Sequence, residues 1–115
     1  MGIGLQIELE EIDKVVVLRL NGRLDAATVP ILDRKIHTLI NDGHVQIALD
    51  FSYVDYLSSA GMRVLLSESR SLHAKQGTFA LFSLSSEVEE VLKMAGFDRI
   101  LHIFPTEKEA LQFKK

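Results

Sequence analysis

The sequence predicts an α/β fold: a mixed, mostly parallel β-sheet of about five strands with about four α-helices. Three observations point there. Two β-rich stretches open the chain, one around Leu5, Ile7 and Leu9 and one from Val15 to Leu20. Helical and strand patterns then alternate to the end of the chain, and crossover helices joining parallel strands satisfy that alternation. Finally, no Pro- or Gly-rich linker, internal repeat or low-complexity tract divides the 115 residues, so one domain, residues 1–115, is expected.

Each element has a local reason. Leu5, Ile7 and Leu9 alternate with Gln6, Glu8 and Glu10, the period of a half-exposed strand. Glu11-Ile12-Asp13-Lys14 is a polar turn, and Val15–Leu20 is a second strand, broken by Arg19 and ended by Asn21-Gly22. Together they predict a hairpin. A helix follows with Val29, Leu32, Ile36, Leu39 and Ile40 on one face; Pro30 fits only its first turn, and Asn41-Asp42-Gly43 stops it. Ile47–Phe51 is a short buried strand, Ser52–Leu57 a crossing segment, and Ser58-Ser59 the start of a helix striped by Met62, Leu65, Leu66 and Leu72. Lys75-Gln76-Gly77 ends that helix and Phe79–Phe82 is the next strand. Ser86 and Glu89 form a capping box for a helix with Val88, Val91, Leu92 and Ala95 inward, stopped by Gly96. A last strand is expected at Ile100–Ile103. Thr106 and Glu109 form a second capping box before a terminal helix carrying Ala110, Leu111 and Phe113.

Composition excludes several classes. Thirteen Lys and Arg against sixteen Asp and Glu leave a net charge of −3, without the basic face that a nucleic-acid binder needs. The chain has no Cys, hence no disulfide framework, thiol catalysis or thiolate metal site. The start, MGIGLQIELEE, lacks the basic and apolar regions of a signal peptide, and no apolar run approaches the ~20 residues that span a bilayer. A cytoplasmic location with no membrane insertion is the expectation.

The stretch Gln46–Leu66 carries the chemistry. Ser58 and Ser59 lie just past a sheet edge, at the positive end of a helix macrodipole, where backbone N–H groups lack intrahelical partners and hold an anion well. One reading makes both serines caps and nothing more, since Ser is a favoured N-cap. The other makes one of them a phosphate acceptor. The small-residue run Ser58-Ser59-Ala60-Gly61 favours close approach, because Gly costs about 1 kcal/mol in a helix and is otherwise out of place. That approach is either by a neighbouring backbone or by a partner. Asp25, after the second strand, reads either as a cap or turn residue or as part of the same site.

Other chemistries are discounted. His37, His44, His73 and His102 are scattered, none four residues from another, so no helix-borne histidine pair exists for a metal. No G-x-G-x-x-G motif or P-loop occurs, and Ser58-Ser59-Ala60-Gly61 is not the G-x-S-x-G elbow of hydrolases. Asp25, Asp50 and Asp55 form a conceivable carboxylate cluster for a divalent ion, but each reads more simply as a turn residue. No cofactor and no metal are implied.

Three pieces carry a family resemblance: Gly22-Arg23-Leu24-Asp25, the strand end Leu49-Asp50-Phe51, and the run Val54-Asp55-Tyr56-Leu57-Ser58-Ser59-Ala60-Gly61-Met62-Arg63-Val64-Leu65-Leu66. Over nearly the whole chain the sequence resembles a STAS domain, and within that family a bacterial anti-sigma-factor antagonist. The common pattern is Asp-Ser-Ser/Thr/Ala-Gly-Leu-Gly with the serine after the Asp phosphorylated. Here Ser58 stands where Asp is usual and Arg63 where many members have Gly. The resemblance implies phosphorylation at Ser59, with Asp25, Ser58, Ala60, Gly61, Met62 and Arg63 on the partner-binding surface. It further implies partner switching without catalysis by the chain itself. The unphosphorylated protein sequesters an anti-sigma factor that is also an ATP-dependent serine kinase, and a metal-dependent serine phosphatase resets the switch. The same fold also serves non-phosphorylated modules of transport systems, including lipid transport, and subunits of signalling scaffolds.

Overall fold

The computed structural model describes residues 4–114; residues 1–3, which begin the stretch read as lacking a signal sequence, lie outside the described residues. Its elements follow the expected order: β1 (Leu5–Ile12), β2 (Val15–Leu24), α1 (Val29–Asn41), β3 (Gln46–Leu57), α2 (Ser59–Ala74), β4 (Thr78–Phe82), α3 (Ser86–Met94), β5 (His102–Phe104) and α4 (Glu107–Gln112). The strands form one five-stranded sheet in sequential order. β1 pairs antiparallel with β2, and every later pairing is parallel. The β1–β2 turn has Asp13 at φ 52° and Lys14 at φ 70°, the left-handed pair of a two-residue hairpin turn whose twist suits the strands.

Sequential parallel strands joined by right-handed crossovers place their connecting helices on one face. The main core lies there, with Leu32 and Ile36 of α1, Leu65 and Leu72 of α2, and Val88 and Leu92 of α3 against Leu18, Leu49, Phe51 and Leu81 of the sheet. The opposite face holds a smaller cluster of Val15, Val17, Ala48, Ala80 and Phe82, closed by Ala110 of α4. Arg19, the residue that breaks the apolar run of β2, faces this side. It bonds Asp50 of β3 and Glu107 of α4, both at 2.9 Å, and Glu10 of β1, also at 2.9 Å. One guanidinium thus ties β1, β2, β3 and α4 together.

Several boundaries differ from expectation. β3 does not stop at Phe51 but continues through the supposed crossing segment to Leu57, and β2 continues through Asn21-Gly22 to Leu24. The β2–β3 register shifts between Arg19 and Asn21 and again between Gly22 and Arg23. Such bulges break the two-residue alternation on which strand recognition depends. In β3, Val54 and Leu57 are buried while Ser52, Tyr53, Asp55 and Tyr56 are exposed, a period of three. Gly22 is a bulge residue at φ 132°, and a Cβ there would collide with the Gly4 carbonyl oxygen. The cap of α3 is Ser85, whose hydroxyl accepts the Val88 N–H at 3.2 Å. Val88 has no side-chain acceptor to reciprocate, so a single cap one residue earlier replaces the expected Ser86–Glu89 box. Val91 and Ala95 face outward, leaving Val88 and Leu92 as the buried pair. A 3₁₀ turn over Phe97–Arg99 precedes the last strand, which runs from His102 to Phe104 rather than from Ile100 to Ile103. The Thr106–Glu109 box forms as expected, with the Thr106 hydroxyl accepting the Glu109 N–H at 3.3 Å and donating to its carboxylate at 3.1 Å.

Candidate partner-binding site at the start of helix α2

The carboxyl ends of parallel strands are where open α/β sheets bind ligands, because loops and helix N-termini converge there. At that edge β2 and β3 end side by side, with Leu24 paired to Leu57. The Ser58 N–H then donates to the Leu24 carbonyl at 2.9 Å. Asp25 and Ser59 each lie one residue beyond this joined pair. Two loops thirty-four residues apart in sequence therefore meet at the start of α2.

The structure separates the two serines. Ser58 has extended backbone (φ −90°, ψ 175°) and is the N-cap, its Oγ accepting the Gly61 N–H at 3.2 Å. Ser59 is the first helical residue and is exposed, and its hydroxyl makes no hydrogen bond among the described residues. With Ser58 satisfying one orphan donor, the Ser59 hydroxyl is free, at the positive end of a sixteen-residue helix.

Asp25 takes the turn role and stays beside the site. One carboxylate oxygen accepts the N–H groups of Ala27 and Thr28 at 3.0 and 3.1 Å, and the other pairs with Arg23 at 3.1 Å. Partial desolvation pushes its pKa upward, but these backbone hydrogen bonds and the Arg23 charge outweigh it and hold the carboxyl below its ordinary value.

Gly61 is explained by a neighbouring backbone. A Cβ on it would lie 2.7 Å from the Leu24 carbonyl oxygen and 2.7 Å from Leu57 Cδ1. It is buried, and its absent side chain is what lets α2 begin against the end of β2. Ala60 and Met62 are half-buried beside it. Arg63, one turn after Ser59, is exposed and without an ion-pair partner among the described residues.

Asp25, Asp50 and Asp55 do not gather. Asp50 is committed to Arg19 at 2.9 Å and to the Ser52 hydroxyl at 2.6 Å, and Asp25 to its own turn. Sequence reasoning missed two features. Tyr53 and Tyr56 project from the extended part of β3 with 72% and 51% exposure, hidden while that segment passed for a loop. The second is Glu68, fully buried on the inner face of α2 where Leu66 was expected; Leu66 is only half-buried. Its neighbours Asp33 and His37 were available in the sequence as a pair four residues apart on α1.

Fold and site together define a small α/β module that presents an exposed serine hydroxyl at a helix N-terminus, with an exposed arginine one turn further on; neither has a side-chain partner among the described residues. The STAS domain family model matches residues 6–110, and the chain belongs to that family. It is 32% identical over 101 residues to BtrV of Bordetella bronchiseptica, a candidate anti-sigma factor antagonist, covering 88% of this chain and 84% of that one. Its structure superimposes on that of a candidate anti-sigma factor antagonist from Thermotoga maritima with TM-score 0.87 at 29% identity, covering 92% of each chain. It matches the Bacillus cell fate determinant SpoIIAA in its phosphorylated form with TM-score 0.71 at 29% identity, covering 93% of this chain and 97% of that one.

Proposed function

We propose that this chain is an anti-sigma factor antagonist, a cytoplasmic STAS module that acts by binding and is switched by phosphorylation at Ser59. In the unphosphorylated state it sequesters an anti-sigma factor that is also an ATP-dependent serine kinase, and so frees a sigma factor. Phosphorylation of Ser59 releases that partner, and a metal-dependent serine phosphatase resets the switch. The observation that carries this reading is the free, exposed Ser59 hydroxyl beside a serine that already serves as the cap. The similarity to SpoIIAA, a protein of this fold in phosphorylated form, supports it.

The physics of the switch is local. A phosphoserine adds about −1.5 to −2 charge at pH 7. The helix N-terminus accommodates that charge, so the module keeps its fold. The penalty falls on the complex, where a desolvated phosphate facing partner groups weakens binding by about 2–5 kcal/mol. Asp25, Ser58, Ala60, Met62 and Arg63 form the partner-binding surface with Ser59, and Gly61 supports it from beneath.

The test is incubation with the cognate kinase and ATP, read by intact mass and peptide mapping. One phosphate on Ser59, absent from Ser59→Ala, is expected. Modification of Ser58 or of another residue would contradict the assignment, and a chain that stays unmodified yet assembles with a transporter would return it to the transport-module reading.

A further inference from the structure

Glu68 is the anomaly of the core. Its side chain has 0% exposure, and neither carboxylate oxygen has a hydrogen-bond partner. Buried carboxylates are ordinarily paired, because an unpartnered one forfeits its hydration with nothing in return. Glu68 faces Asp33 and His37 of α1 across the α1–α2 contact. His37 Nε2 lies 3.7 Å from Glu68 Oε1 and 3.5 Å from Asp33 Oδ1. All three donor atoms lie within 4.8 Å of one another.

These separations are too long for good hydrogen bonds, which close at about 2.7–3.2 Å. They are the spacing of ligands around a small ion. Metal–ligand bonds of about 2.0–2.1 Å in a tetrahedron put neighbouring donors about 3.3–3.4 Å apart. The two gaps to His37 need only a few tenths of an ångström of contraction. We propose that Asp33, His37 and Glu68 bind one zinc-class divalent transition-metal ion, which clamps α1 to α2.

The donor set selects the class. One imidazole nitrogen and two carboxylate oxygens suit zinc and its first-row neighbours, whereas magnesium and calcium take six or more oxygens. A divalent charge neutralises the two carboxylates. Asp33 and His37 are 42% and 54% exposed, so the outer side of the cluster is open to an incoming ion and to a fourth ligand from water. Burial foremost, and then the nearby Asp33 carboxylate, push the Glu68 pKa up to about 9. The site is separate from Ser59, nine residues and about 13 Å along α2, but it sets the anchoring of the same helix.

Calorimetric titration of chelator-treated protein with zinc chloride, and with cobalt(II) chloride followed by visible absorption, tests the site. One ion per chain is expected, with the intense visible bands of low-coordinate cobalt and a rise in melting temperature. Loss of an outer-shell partner alone commonly weakens a site about 10–100-fold, so His37→Gln and Glu68→Gln should each raise the zinc Kd by at least about tenfold. His73→Gln, outside the cluster, should leave it unchanged. His37 is exposed, so His37→Gln folds even if Glu68→Gln does not. The proposal is overturned if zinc fails to bind at one per chain, if His37→Gln binds it as tightly as the parent, or if magnesium chloride gives the same shift in melting temperature as zinc.

Discussion

Gly61 begins α2 against the carbonyl of Leu24, so close that a single added methyl would sit 2.7 Å from that oxygen. The same carbonyl accepts the Ser58 N–H at 2.9 Å, so one backbone group at the end of β2 positions the whole serine turn. In an unconstrained helix Gly→Ala gains up to about 1 kcal/mol. Here Gly61→Ala should instead destabilise the protein by about 1–3 kcal/mol through overpacking. Chemical denaturation would show it as a lower midpoint with unchanged slope. Partner affinity should fall with it, because the start of α2 is displaced.

Ser58 and Ser59 should separate cleanly under mutation. Ser58→Ala removes the acceptor of the Gly61 N–H and should cost about 1 kcal/mol. Ser59→Ala removes a hydroxyl without a partner among the described residues and should stay within about 0.5 kcal/mol of the parent. Ser59→Asp should keep the fold or gain about 0.3–1 kcal/mol from the helix dipole while losing the kinase. Thermal melts alongside calorimetric binding distinguish this from unfolding. An unfolded Ser59→Asp would sink the interface account.

Arg63 lies one turn beyond Ser59 without an ion-pair partner among the described residues. Arg63→Ala should weaken the unphosphorylated complex about tenfold, or about 1.4 kcal/mol, and leave the isolated module as stable as before. A loss of stability confined to the phosphorylated form would reassign Arg63 to holding the phosphate. No change in either measurement would make it a solvated surface charge.

Asp25 should contribute a pH-dependent share of stability. Its folded pKa is held below the unfolded value by the Ala27 and Thr28 N–H groups and Arg23, against the opposing effect of desolvation. A depressed carboxyl pKa means stability present above the unfolded value and lost as pH falls through the folded one. Asp25→Asn keeps the acceptor oxygen of the turn and removes only the charge. The variant should therefore be less stable than the parent at neutral pH, and the gap should close as pH drops below the carboxylate range. Melts across pH 2–7, an interval chosen about the ordinary Asp pKa, would follow it.

Glu68→Met should stabilise the metal-free protein. It replaces two unpartnered buried oxygens with an unbranched apolar side chain of similar length. Replacing a buried polar group that lacks hydrogen-bond partners with an apolar one removes a desolvation cost of about 1–3 kcal/mol. Differential scanning calorimetry in chelator should show a higher melting temperature. A lower one would mean that the Glu68 carboxyl already has a compensating partner.

What was legible in the sequence was local. The Thr106–Glu109 box, the Pro30 position, the hairpin turn (read over Glu11–Lys14, formed by Asp13-Lys14 alone) and the Leu32–Ile36–Leu39 stripe each depend on residues within a turn or two of one another. The Ser58-Ser59 start of α2 was equally legible as a helix start, but which serine caps was not. Both sit at plausible positions, and only the extended backbone of Ser58, held by Leu24, decides it.

The sequence by itself determined the alternation of elements, the hairpin start and the place of a hydroxyl pair at a helix N-terminus, because propensity, capping and periodicity act over a few residues. Tertiary structure alone decided where β2 and β3 end, since their bulged register sets which residues turn outward and exposes Tyr53 and Tyr56. It also decided that Gly61 serves the fold and that Glu68 is buried against Asp33 and His37. These contacts join residues more than thirty apart, and their geometry follows from the parallel pairing of β2 with β3 and from how α1 and α2 meet on one face of the sheet, which no local pattern encodes.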